Sequence, residues 1–249
     1  RIHAEAERAG TVFTINYEYR ANPIIQEIQR LIGDGSIGEV AGVTIYHFRR
    51  SFGRTKWNNW IQKEECSGGM LVEETCHWFD LMRLFAGEVS EIHAIASDAV
   101  YDDFDFEDIA FVNLKFAGGA IGQLSHSLAG FDYLFNIWIL GTKRSIWAVQ
   151  KNTDASSLGV GDGEYHGRVV TGLLSTPDSP SKVESITNYG EEVTEHSSQF
   201  DHVGYFAECV ATGRKPYVSI QDALVSLDLS LAARRSVREN AIITTGGQR

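Results

Sequence analysis

The chain has 249 residues, a formal net charge of −11 and 43% hydrophobic residues, enough apolar side chains for a sizeable core in one large domain or two small ones. The acidic balance argues against a nucleic-acid partner, whose phosphates call for clustered Lys and Arg, and no run approaches the roughly eighteen apolar residues of a membrane span. Cys66, Cys76 and Cys209 are too few and too scattered for a disulfide framework or a zinc knuckle and suit a reducing, cytoplasmic compartment. The first residue is Arg1, not Met, so an export signal stays open.

In chain order, Ile2 to Arg8 reads as a helix end stopped by Gly10. Thr11 to Asn16 is rich in β-formers and predicts a short buried strand. Asn22-Pro23 opens a helix with Pro in its first turn, and Ile24, Ile28, Leu31 and Ile32 follow at helical spacing. Val40 to Phe48 predicts a strand, followed by a loop carrying Trp57 and Trp60. Gly68-Gly69 leads into one helix running to about Ala86. Val89 to Ala96 predicts a strand, and Ile109 to Ser127 a hairpin with a two-residue turn at Gly118-Gly119. Two more strand runs flank Gly141 between Asn136 and Val149. Residues 151 to 195, rich in Ser, Thr, Gly and Asp, predict long loops with one or two edge strands. Helices over about 198–212 and 220–239 finish the chain, the last with Ser219 and Asp222 at capping-box spacing. This order predicts an α+β fold: a mainly antiparallel open sheet with helices on one face.

Gly33-Asp34-Gly35-Ser36-Ile37-Gly38 matches G-x-G-x-x-G. A dinucleotide fingerprint follows a strand and opens a helix, whereas here a helix precedes and a strand follows. The stretch therefore reads as a helix C-cap and turn.

The segment Gly68 to Asp80 carries the clearest chemistry. At about 100° per residue, Glu73, His77 and Asp80 lie within about 60° of one another, while Leu71, Thr75, Trp78, Phe79, Met82 and Phe85 take the opposite side. A histidine with a carboxylate one turn away on each side suits proton transfer, because the carboxylates fix its tautomer. On spacing alone, a solvated polar helix face is as good a reading. The paired glycines permit close approach of a ligand or another backbone. A metal site is a second reading, because Glu73 and His77 at i and i+4 can share a cation, but the second histidine of H-E-x-x-H is missing and no Cys-His cluster lies nearby in sequence, so no metal ligands are assigned.

The pattern G-G-x-L-x-(D/E)-x-x-x-H-x-x-D-L resembles the glucose–fructose oxidoreductase / inositol dehydrogenase (Gfo/Idh/MocA) family. Asn16 to Pro23, Ile28 to Val40, Asn113 to Gly122, and Pro216 with Ser219 and Asp222-Ala223-Leu224 are similar to further family segments in the same order. The resemblance implies an N-terminal dinucleotide-binding domain followed by a substrate-binding and oligomerisation domain, with hydride transfer between NAD or NADP and a sugar, inositol or related polyol. Residues 1–20 would be the end of the first domain and 21–249 the second, so the Rossmann half, its glycine loop and the family's catalytic lysine are expected upstream of Arg1. By the same resemblance His77 matches the catalytic histidine and Glu73 the acid before it, where the family more often has Asp. Asp80, Arg20 and Tyr133 would bind substrate hydroxyls. Rival readings are a non-catalytic sugar-binding or assembly module, and a metal-dependent isomerase or hydrolase. A homo-oligomer built on the open sheet face is expected, because strands 109–149 carry Phe111, Phe116, Phe135, Ile137, Trp138 and Ile139, some of which must face away from the helices.

Overall fold

The computed structural model describes residues 2–51, 60–130, 133–151, 166–190, 193 and 197–246. Trp57 and part of the 151–195 stretch lie outside them. Helix α1 (Ile2–Ala9) is followed by residues 11–17, which run without strand pairing. The expected strand at Thr11 to Asn16 is thus corrected: its residue types suit a strand, but a strand needs a ladder partner and no described strand runs beside it. A 3-10 turn, Glu18–Ala21, leads into α2 (Pro23–Gly33). Asn22 caps α2 by accepting from the Ile24 N–H at 2.9 Å, and its amide donates to Gln150 and Ser198, so this fully buried residue pins the helix to two other elements.

The sheet has nine strands: β1 (Val40–Phe48), β2 (Val89–Ser97), β3 (Ile109–Phe116), β4 (Ile121–Ser127), β5 (Leu134–Gly141), β6 (Arg144–Lys151), β7 (Gly167–Leu173), β8 (Lys182–Tyr189) and β9 (Ile243–Thr244). Their order is β8-β7-β6-β5-β1-β4-β3-β2-β9. Neighbours are antiparallel except β1 and β4, which run parallel with His47 opposite His126. The β3–β4 turn is one residue longer than expected: Gly119 donates to Phe116 and takes φ +93°, making a three-residue loop with a glycine bulge.

Helices α5 (Thr75–Ala86) and α7 (Ile220–Glu239) pack together, α5 against β1 and α7 against β2, while α2 covers β7. Ser219 and Asp222 form the expected capping box on α7. Helix α6 (Ser197–Thr212) packs on the Glu18–Ala21 turn, so the expected boundary after residue 20 falls inside a packed turn. Trp78, Phe79, Phe116, Phe135, Ile137 and Ile139 lie in the core beneath the helices. On the uncovered face, Ile95, Phe111, Ile121, Trp138, Leu140, Val183 and Ile186 stay exposed. Phe111 and Trp138 are therefore the members of the expected aromatic set that face away from the helices; the others are core.

Candidate active site

The site is built where a break in a helix meets the Glu18–Ala21 turn. The single helix expected after Gly68-Gly69 is two: α4 (Met70–Glu73) and α5, with Glu74 between them at φ −98°, ψ −48°. A short helix α3 (Glu64–Ser67) precedes them and ends in Gly68. The Thr75 hydroxyl donates back to the Leu71 carbonyl, a local competition with the helix ladder that bends helices. Gly68 and Gly69 have φ of +85° and +75°, and the space a Cβ would take is filled by Val72 and Phe106. Their freedom therefore serves a tight helix entry rather than close approach of a ligand.

The break turns Glu74 inward, where Arg49 Nη1 donates to its Oε1 at 2.6 Å. Burial pushes the Glu74 carboxyl above its ordinary range, with Arg49 opposing. The Glu73 carboxyl is also raised by burial, and its Oε2 is buried without a partner among the described residues. His77 does not meet Glu73. Its Nδ1 faces Glu18 Oε2 at 3.5 Å, close but not aligned as a hydrogen bond. Tyr17 and Tyr19 flank the imidazole, each edge-on at 83°, with ring centroids at 5.4 and 5.6 Å. Tyr17, Glu18 and Tyr19 thus form a clamp that holds the His77 ring plane and offers a carboxylate to one nitrogen.

Asp80 and Arg20 are brought together, but on each other. Arg20 Nε and Nη2 donate to the two Asp80 oxygens at 2.7 and 2.6 Å, and the side chains are 9% and 1% exposed. Arg20 Nη1 also reaches the Tyr217 carbonyl and lies 3.7 Å from Asp222, and Ser226 donates to Asp80. This network ties the 3-10 turn to α5 and α7. Tyr133 is buried, shares a 2.7 Å hydrogen bond between hydroxyls with Tyr19, and lines a cavity of about 340 Å³ with Arg49, Arg50 and Ser51. It therefore joins the His77 environment through Tyr19.

Residues 25–147 match the model of the GFO/IDH/MocA C-terminal domain. The chain belongs to the Gfo/Idh/MocA family. It is 25% identical over 244 residues to myo-inositol 2-dehydrogenase of Thermotoga maritima, covering 96% of this chain and 66% of that protein. It is 23% identical over 239 residues to scyllo-inositol 2-dehydrogenase (NAD(+)) of Bacillus subtilis, covering 94% and 63%. The chain thus spans just under two thirds of these relatives' length. Among solved structures it shares its fold with levoglucosan dehydrogenase in complex with NADH, at TM-score 0.77, 16% identity and coverage of 98% and 69%.

The G-x-G-x-x-G stretch is a helix C-cap and turn, as its position between a helix and a strand implies. At Gly33–Gly38, α2 ends, Gly35 and Gly38 turn at φ +72° and +76°, and β1 follows; a Cβ at Gly38 would collide with Thr142. The turn closes a helix and opens a strand, so it offers a nucleotide phosphate no helix N-terminus of its own. Sequence reasoning missed the clamp residues Tyr17 and Glu18, and Glu74. Glu18 lies far from His77 along the chain, and Glu74 points inward because of a break that a continuous helical wheel does not contain. The consecutive Tyr-Glu-Tyr ahead of Asn22-Pro23 was the available signal.

Proposed function

We propose that this domain holds a sugar, inositol or related polyol for hydride transfer to or from NAD or NADP bound mainly by a dinucleotide-binding domain, with His77 exchanging the hydroxyl proton. The supporting observation is the clamp: an imidazole fixed between two aromatic edges, with Nδ1 toward a buried carboxylate and the other ring nitrogen left for a substrate hydroxyl. Such an arrangement fixes tautomer and orientation, which a general base needs before its proton affinity matters. In this reading Glu18 orients His77. Glu73, which the family resemblance pairs with it, supplies a raised carboxyl beside the same site. Tyr133 contacts the substrate from the cavity wall. Asp80 and Arg20 hold the scaffold that carries the clamp. The nicotinamide supplies the redox chemistry; the domain supplies position and a proton site. The uncovered sheet face, with its exposed apolar side chains, serves as a homo-oligomer interface.

The test is a spectrophotometric screen of the full-length protein with NAD and with NADP against inositols, aldoses and acyclic polyols. Turnover with at least one of these is expected. No turnover with any of them under either cofactor would contradict the reading.

A further inference from the structure

Behind the His77 helix lies a second group of buried polar side chains that the proton-transfer reading does not use. His47 on β1 and His126 on β4 sit opposite each other in the parallel pair, both fully buried. Their Nδ1 atoms are 3.2 Å apart, and both Nε2 atoms are buried without a partner among the described residues. Glu74, at the α4–α5 break, is the third member: one ligand-type atom from each of the three lies within 4.8 Å of the others. We propose that His47, His126 and Glu74 form a binding site for one first-row divalent metal ion, with Zn²⁺ the best match.

Two nitrogens on a tetrahedral zinc, each about 2.0–2.1 Å from it, stand roughly 3.3–3.4 Å apart, close to the separation these Nδ1 atoms already have. The set is chemically suited: two imidazoles and a carboxylate are a common three-residue zinc set that leaves a fourth position open. Both imidazoles are held neutral, the form that ligates. Burial, with Arg49 adding to it, pushes His126 down to about 3 and His47 well below its ordinary value. Only one proton lies between the two Nδ1 atoms, and moving it to Nε2 of the same ring frees both for a metal without net proton release.

Arg49 fits as an outer partner. It binds one Glu74 oxygen, leaving the other to ligate, and ligating carboxylates are commonly held this way. The site would tie β1 and β4 to the helix break that places Glu73 and His77. Sequence spacing could not reveal it, since His47 and His126 lie 79 residues apart and meet only through the β1–β4 pairing.

The test uses the tag-free 249-residue chain, stripped with a chelator and titrated with Co²⁺ and Zn²⁺, with bound metal measured by mass spectrometry. The expected result is about one equivalent of either metal, tetrahedral Co²⁺ absorption displaced by Zn²⁺, and a Tm rise of roughly 5–10 °C at a hundredfold excess over Kd. Glu74→Gln keeps the Arg49 hydrogen bond and the side-chain volume and is expected to weaken binding at least tenfold. His126→Gln is expected to abolish it. His202→Gln, which alters another buried histidine away from the cluster, is expected to retain it. Should His126→Gln fail to fold by circular dichroism, Glu74→Gln decides. Wild-type chain holding less than a tenth of an equivalent, or binding undiminished in the folded variants, would overturn the proposal. Neither result bears on the polyol screen, so the two readings fail separately.

Discussion

Arg20→Ala is the sharpest test of the scaffold beneath the clamp. The substitution removes both Arg20 donors to Asp80, whose carboxylate is 1% exposed and, among the described residues, keeps the 3.4 Å contact from Ser226. Removing one partner of a buried pair leaves an uncompensated charge and costs about 3–5 kcal/mol. The loss of the Tyr217 carbonyl contact adds in the same direction. A domain of this size has a total stability of roughly 5–15 kcal/mol, so this is a large fraction of it. At about 2–4 °C per kcal/mol, Tm should fall by roughly 6–20 °C. Chemical denaturation of Arg20→Ala, Asp80→Leu and the Arg20→Met/Asp80→Leu double variant measures the coupling. The double variant should recover much of the loss, because replacing both charges leaves none buried alone. A cost below about 1 kcal/mol for Arg20→Ala would refute the reasoning.

Gly141→Ala should destabilise by about 1–3 kcal/mol, since a Cβ there would lie 2.3 Å from the Ile37 carbonyl oxygen and 2.7 Å from that of Arg144; denaturation midpoints check this. In the full-length protein Glu18→Gln should lower kcat more than Glu73→Gln, because Glu18 is the carboxylate facing His77 Nδ1; steady-state kinetics on both variants decide. Light scattering should give an oligomer at micromolar concentration that Trp138→Glu shifts toward monomer, and a wild-type chain that is monomeric throughout would count against the sheet-face interface.

The elements were largely legible because periodicity reports burial. Ile24, Ile28 and Leu31 of α2 are buried as their spacing predicts, and β3 alternates strictly, with Ala110, Val112, Leu114 and Phe116 inward. The β9 strand escaped notice because two residues, Ile243–Thr244, carry no pattern. Thr11 to Asn16 misled because strand propensity says nothing about whether a partner strand exists. The site was half legible. The wheel correctly separated Leu71, Trp78 and Phe79 from His77, but a wheel gives direction about an axis, not what lies opposite. It placed Asp80 beside His77 while the fold placed Arg20 against Asp80 and Glu18 against His77. The β1–β4 pairing that joins His47 to His126 is likewise set by topology, which local spacing does not encode.

The most direct measurement of the central claim is kcat, together with cofactor Kd, for His77→Ala in the full-length protein. Loss of a positioned acid/base group lowers rate by about 10²–10⁴-fold. The account predicts a fall in kcat within that range, with cofactor Kd unchanged and Tm shifted little. An unchanged kcat would contradict it.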